Sequence, residues 1–249
     1  MSKNTIPAVE KTLQLIECIG NSNVPLSRTE LAKQLDITPT TCYRILQTLL
    51  EYDWINREDT NRFRLGGGLL PVLRSLYDVT SRYQKLQGVL DRLAKKTKLS
   101  SKFSIRRGLN QVTILRGDPR TNVHVSGKVG GEFPIVEGSV GTVLLSQDSP
   151  EDIADMMLKC QENIPESTDS KLLMKRILFF RKNGYVVCDN NRWNVHAMST
   201  AVYESGELTG ALTLLGWEED FHSSREKNLS QTLIKYASEC TELLMQQEK

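Results

Sequence analysis

The feature that most constrains this chain is a corner near residue 36. One short amphipathic pattern ends at Leu35 and another begins at Pro39. Asp36-Ile37 between them is too short for anything but a sharp helix-helix turn. Before the corner, Ser27-Arg28-Thr29-Glu30 is a capping box, flanked by Leu26 and Leu31 at the positions of a hydrophobic staple; Leu31, Ala32 and Leu35 give the short helix its apolar face. After the corner, Thr38 caps a helix with Pro39 at its first position. This helix is expected to run to about Tyr52 and to bury Cys42, Ile45, Leu46 and Leu49. Upstream, Val9, Leu13, Leu15, Ile16 and Ile19 recur at helical spacing and stop at Gly20-Asn21-Ser22-Asn23, so a first helix precedes the pair.

The face left over on the third helix carries Thr40, Thr41, Tyr43, Arg44 and Gln47. Hydroxyls at a helix N-terminus suit phosphate, while Arg and Gln one turn further on reach base edges, as in the recognition helix of a helix-turn-helix. Trp54 to Arg57 and Arg62 to Leu65 then read as two strands around the polar turn Glu58 to Asn61, a hairpin in the position of a wing. Period-two alternation puts Arg62 and Arg64 on one face of it and Phe63 and Leu65 on the other. The candidate DNA contacts are therefore Ser27, Arg28, Thr38, Thr40, Thr41, Tyr43, Arg44, Gln47, Arg62 and Arg64. Packing or dimerisation without DNA is the competing use of such a module.

Composition bounds the remainder. The chain has 249 residues, 39% of them hydrophobic and 25% charged, which excludes a disordered, collagenous or disulfide-scaffold protein. The polar start Met1 to Pro7 resembles no secretory signal, and no apolar run spans a bilayer, so the expected location is the cytoplasm, away from any membrane. Five widely spaced cysteines, Cys18, Cys42, Cys160, Cys188 and Cys240, contain no Cys-x-x-Cys and are read as free thiols. The net charge of +2 hides an uneven distribution. Residues 67–128 hold 13 basic against 3 acidic side chains, and residues 129–249 hold 11 against 19. Lys95, Lys96 and Lys98 look like a solvated helix face, so bulk charge alone does not establish a nucleic-acid partner.

With these residues in view, the chain resembles the isocitrate lyase regulator (IclR) family of bacterial transcription factors. Thr41-Cys42-Tyr43-Arg44-Ile45-Leu46-Gln47-Thr48-Leu49 is similar to that family's Thr-x-Tyr-Arg-Leu-Leu-x-x-Leu signature, and Arg62-Phe63-Arg64-Leu65-Gly66 resembles the end of its wing. The resemblance continues more weakly over nearly the whole chain. It implies an α+β protein in three parts: a winged helix-turn-helix over residues 1–66, a linker helix over 67–82, and a GAF-like effector-binding domain over 83–249. In the linker, Leu69, Leu70, Leu73, Leu76 and Tyr77 recur at helical spacing, and a second helix is expected from Tyr83 to Thr97. Beyond it, strands are expected near 101–107, 111–116, 185–188, 197–203 and 209–215. Helices are expected near 140–146, 150–160, 169–182 and 224–246.

The resemblance also implies where a small, anionic effector would bind. The loop Glu137-Gly138-Ser139-Val140-Gly141-Thr142 opens a helix, and its Ser139 and Val140 face Cys188, Asp189, Ala197, Ser199, Thr213 and Leu215 on the strands. Several positions depart from the family pattern: Thr142 replaces the usual Lys of the loop, Asn190-Asn191 the acidic residues after Gly-Tyr, and Ala197 and Leu215 a Cys and a Ser. Asp189 would repel an anion, and is expected to turn to solvent or bond a ligand hydroxyl. The partners implied are a near-palindromic DNA operator, the effector and further copies of the chain as a dimer or tetramer.

An enzyme is the alternative, since a winged helix serves only as a dimerisation module in some small-molecule methyltransferases. Neither Gly66-Gly67-Gly68 nor Gly138-Ser139-Val140-Gly141 has the spacing of a nucleotide-binding loop. His124, His196 and His222 share no metal-ligand or nucleophile motif, and Cys188 with His196 have no special claim to proximity. No catalytic residue, metal or cofactor is expected. A C-terminal domain with a degenerate pocket, serving dimerisation alone, is the remaining alternative.

Overall fold

The computed structural model describes residues 5–58, 61–119, 125, 127–160, 169–190 and 195–246; Asn191 and the side chains of 75–80 (Leu76 and Tyr77 of the linker among them), 190 and 223 lie outside the described part. The chain divides into two compact units at Val79/Thr80.

The first unit is built as its caps dictate. Helix α1 spans Pro7–Asn21, α2 Arg28–Gln34 and α3 Pro39–Glu51. Ser27 Oγ accepts from the Glu30 amide at 3.3 Å, and the Ser27 amide donates to Glu30 Oε2 at 2.7 Å, completing the capping box. Thr38 Oγ1 accepts from the Thr41 amide at 3.2 Å and starts α3. At the corner, Asp36 adopts φ 48 and Ile37 turns back into the core, its amide bonded to the Ala32 carbonyl at 3.0 Å. Leu31, Ala32, Ile37, Cys42, Ile45, Leu46 and Leu49 are all buried, in one cluster with Leu15, Ile19 and Phe63. Strands β2 (Ile55–Arg57) and β3 (Arg62–Leu65) form the hairpin, and a two-residue strand β1 (Leu26–Ser27) pairs with β3 on its other side. The glycines after the wing serve close packing: a Cβ at Gly68 would stand 2.3 Å from the Tyr52 carbonyl oxygen.

A 3₁₀ turn at Gly67–Leu69 leads into α4 (Leu70–Gln84). Tyr83 therefore belongs to the end of this helix, and α5 begins only at Gln87 and runs to Thr97. The break has a physical reason: Tyr83 and Leu86 are both buried in the second unit's core, which turns the chain there.

The second unit is a six-stranded antiparallel sheet in the order β6-β5-β4-β9-β8-β7, in which β4 is Ser100–Arg107, β5 Asn110–Gly117, β6 Glu132–Pro134, β7 Val186–Asn190, β8 Val195–Glu204 and β9 Glu207–Gly216. The short β6 has no counterpart among the strands expected from the sequence. Alternation sends Phe103, Met198, Val202, Leu212 and Leu214 to one face, where they pack against α5 and α9 (Ser223–Met245). Val186, Cys188, Ala201 and Ala211 go to the other, under α6 (Gly138–Leu144), α7 (Pro150–Lys159) and α8 (Ser170–Asn183). Helix α6 lies close on the preceding loop, since a Cβ at Gly141 would come 2.2 Å from the Ile135 carbonyl oxygen. The result is the expected α+β fold.

Candidate nucleic-acid interface and effector site

On α3 the buried stripe leaves Thr40, Tyr43 and Arg44 exposed and Thr41 and Gln47 half-buried. Arg28, exposed at the start of α2, sets its guanidinium 5.9 Å from the centre of the Tyr43 ring, joining the two helices' polar surfaces. Ser27 and Thr38 are occupied as caps, and Thr41 Oγ1 lies 2.9 Å from Thr38 Oγ1.

The wing arginines are less free than alternation suggests. Arg62 donates to the Pro25 carbonyl at 2.8 Å and forms an ion pair with Glu30 at 3.1 Å. Arg64 pairs with Glu58 at 2.5 Å. Leu65 is largely exposed rather than buried beside Phe63, its Cδ1 lying over Gly20. Arg57 on β2, which does not stand out in the sequence, is exposed and, like Arg44, makes no ion pair among the described residues. The Glu30 carboxyl is held below its ordinary value by the Ser27 amide, then by the Ser27 hydroxyl and Arg62.

In the second unit, the loop and strands predicted to meet do so through hydroxyls. Ser139 Oγ on α6 lies 2.8 Å from Ser199 Oγ on β8, which lies 2.8 Å from Thr213 Oγ1 on β9. All three side chains are buried. Three hydroxyls own three donor hydrogens, and two bonds among them use two, so one hydrogen remains for an acceptor outside the chain of hydroxyls. The neighbouring row is apolar: Cys188 stands opposite Ala197, and Ala197 opposite Leu215. Val140 is buried against the same cluster. Asp189 stays outside, half-exposed and 3.7 Å from Arg176.

Sequence reasoning missed Lys102. It sits on β4 directly opposite Thr213, which is itself opposite Ser199, so Lys102 shares the hydroxyls' face of the sheet. In the sequence it looks like the polar phase of an ordinary strand, yet it is only 8% exposed. Its ammonium lies 5.5 Å from the centre of the Phe133 ring. Burial lowers its pKa to about 8, against the opposing pull of the Glu137 carboxylate. Beside it on the same face, Ser100 Oγ is buried with no hydrogen-bond partner among the described residues.

Cys188 and the described histidines do not come together. Register puts Cys188 opposite Ala197, while His196, one residue earlier on β8, emerges on the other face and stacks 6.2 Å from Phe221. His222 precedes α9 at the surface, and His124 lies outside the described residues. Among the described residues, none of the five cysteines is joined in a disulfide. Among the described residues, no cluster of His, Cys, Asp and Glu could hold a metal, and no helix is long and apolar enough to cross a membrane.

A winged helix-turn-helix followed by an antiparallel sheet with helices on both faces defines a two-domain transcriptional regulator. Two family models match: the IclR helix-turn-helix domain over residues 8–59 and the bacterial transcriptional regulator IclR C-terminal domain over residues 78–242. The chain belongs to the IclR family of bacterial transcriptional regulators. It is 22% identical to the HTH-type transcriptional regulator XynR of Escherichia coli over 84% of this chain and 85% of that one. It is 21% identical to the acetate operon repressor of Salmonella typhimurium over 95% and 89%. Among solved structures it is similar to an IclR regulator from Alicyclobacillus acidocaldarius, with TM-score 0.78 and 20% identity over 96% of this chain and 99% of that one. It is also similar to an IclR homologue from Microbacterium hydrocarbonoxydans complexed with 4-hydroxybenzoate, with TM-score 0.80 and 15% identity over 95% and 98%.

Proposed function

We propose that this regulator binds a near-palindromic operator through α3 and the wing, as a dimer or dimer of dimers, and answers to a small anionic metabolite held by its C-terminal domain. It acts in the cytoplasm and catalyses nothing. The observation that carries the DNA reading is the division of α3: one stripe buried in the core, the other presenting Thr40, Tyr43 and Arg44 to solvent. Gln47 completes the readout surface, and Arg57 and Arg44, without ion pairs among the described residues, supply phosphate contacts. Arg62 serves chiefly to brace the wing, since both its sides are committed to Pro25 and Glu30. Exposed Val9 and Leu13, one turn apart on α1, and exposed Leu70, Val72 and Leu73 on α4 suit the pairing of copies.

The effector reading is supported by the buried Ser139, Ser199 and Thr213 hydroxyls, with one donor to spare, bordered by Leu215, Ala197 and Cys188. The structural relative that holds 4-hydroxybenzoate supports a ligand of this size and charge. Quantitative footprinting across a salt series tests the DNA half. Replacing Arg44 or Arg57 with alanine should flatten the dependence of log affinity on log salt by about one unit for each phosphate the protein no longer neutralises. Protection that ignores sequence throughout would contradict the reading.

A further inference from the structure

The ammonium of Lys102 is buried, 5.5 Å from the centre of the Phe133 ring, and makes no hydrogen bond or ion pair among the described residues. A charge in such a place is costly unless a counter-charge arrives. Its surroundings point to what that counter-charge is. Lys102, Thr213 and Ser199 stand side by side on three adjacent strands, so the cation continues the hydroxyl row. The next residue on the same face of β4, Ser100, has a buried hydroxyl that lacks a partner among the described residues and stands opposite Leu215. Gly127 lies close against Lys102 and Leu215, since a Cβ there would come 3.3 Å from Lys102 Cδ and 3.7 Å from Leu215 Cδ1.

We propose that Lys102, together with the Ser100 hydroxyl, anchors the carboxylate of the effector, and that this anchor restricts the ligand to a small monocarboxylate. The inference rests on the reading of the C-terminal domain as an anion sensor and locates the charge on β4 rather than at the α6 loop. Helix α6 is only 7 residues long, and the Ser139 hydroxyl at its start is already bonded to Ser199. A carboxylate on Lys102 puts the body of the ligand across Thr213 and Ser199, where the spare hydroxyl hydrogen meets a ligand oxygen, and against Leu215. The restriction to one charge follows from Glu137, whose carboxylate acts on the same ammonium: it already offsets that positive charge, so one ligand carboxylate leaves the site net negative and a second would add repulsion with no further cation to meet it.

Calorimetric titration of the full chain tests this with defined probes at matched ionic strength: benzoate and pyruvate as monocarboxylates, phthalate and malonate as dicarboxylates, benzamide as the neutral isostere of benzoate. Benzoate or pyruvate should bind the unmodified chain, at least about tenfold more tightly than the dicarboxylates or benzamide. Lys102→Met should weaken that binding by about tenfold or more, while Lys102→Arg should keep most of it. Should Lys102→Met fail to fold, ¹³C reductive methylation of the unsubstituted chain gives the same answer, because the Lys102 methyl resonance should shift on adding benzoate. Unchanged affinity in Lys102→Met, or an unmoved Lys102 resonance, with binding lost in Ser199→Ala, would overturn the anchor while leaving the sensor reading intact. Absence of binding by every carboxylate probe would overturn both.

Discussion

Arg62 on β3 and Glu30 on α2, 32 residues apart in the chain, meet in an ion pair of 3.1 Å, and Glu30 simultaneously closes the capping box on Ser27. The wing is thereby tied to the start of the helix that precedes the corner. Arg62→Ala should therefore loosen the hairpin more than it weakens phosphate binding. Hydrogen exchange of the β3 and α2 amides should speed up, while the salt slope of DNA binding stays near that of the unmodified chain. A slope that drops as it does for Arg44→Ala would return Arg62 to the phosphate contacts.

Acid should undo the same junction. The folded carboxyl of Glu30 titrates below its ordinary value near 4.5, so its contribution is complete above that pH and is lost as pH falls through the lowered folded value. Protection of the α2 amides should decline over that acidic range in the unmodified chain. In Glu30→Gln the decline should be absent, with protection already reduced at neutral pH.

Lys102 has the opposite effect. Its folded pKa of about 8 lies below the ordinary 10.5, so up to pH 8 the folded state bears the full cost of a buried charge. Between those two values the unfolded chain holds more protons than the folded one, and stability contributed by this site rises with pH. Lys102→Met should raise unfolding free energy at pH 7 by on the order of 1–3 kcal/mol and remove the alkaline rise. Urea denaturation of the second unit at pH 7 and pH 10 measures both.

Ser199 is the middle of the hydroxyl chain, bonded on both sides at 2.8 Å. Ser199→Ala leaves the buried Ser139 and Thr213 hydroxyls without that partner, a loss on the order of 1–3 kcal/mol. The urea midpoint should fall with little change in slope. A neutral result would mean that the two remaining hydroxyls find each other or other acceptors.

How far the sequence discloses the molecule depends on how local each signal is. The corner at Asp36, the caps Ser27 and Thr38, and the stripe Cys42-Ile45-Leu46-Leu49 are local, and each is found where the pattern puts it. Strands β1 and β6 are two and three residues long and exist only because β3 and β5 lie beside them, pairings that no short window encodes. The same limit applies to side chains. Alternation identifies the face on which Arg62 lies but not that Glu30 waits there. It would rank Lys102 as solvent-facing, whereas helices cover both faces of the sheet, which the strand Ser100–Arg107 does not reveal by itself. The hydroxyl chain is intermediate: Ser139, Ser199 and Thr213 stand out through family resemblance, whereas their mutual bonds follow from the register of β8 on β9 and the seat of α6.

The most direct test of the account is selection of binding duplexes from a randomised pool by the full chain and by its Tyr43→Ala and Gln47→Ala forms. The unmodified protein should enrich a near-palindrome whose half-sites lie about one helical turn apart, and each substitution should relax or change the preferred bases at fixed positions within both half-sites. A pool with no enriched sequence, or one identical motif from all three proteins, would contradict the assignment of α3 as the surface that reads DNA.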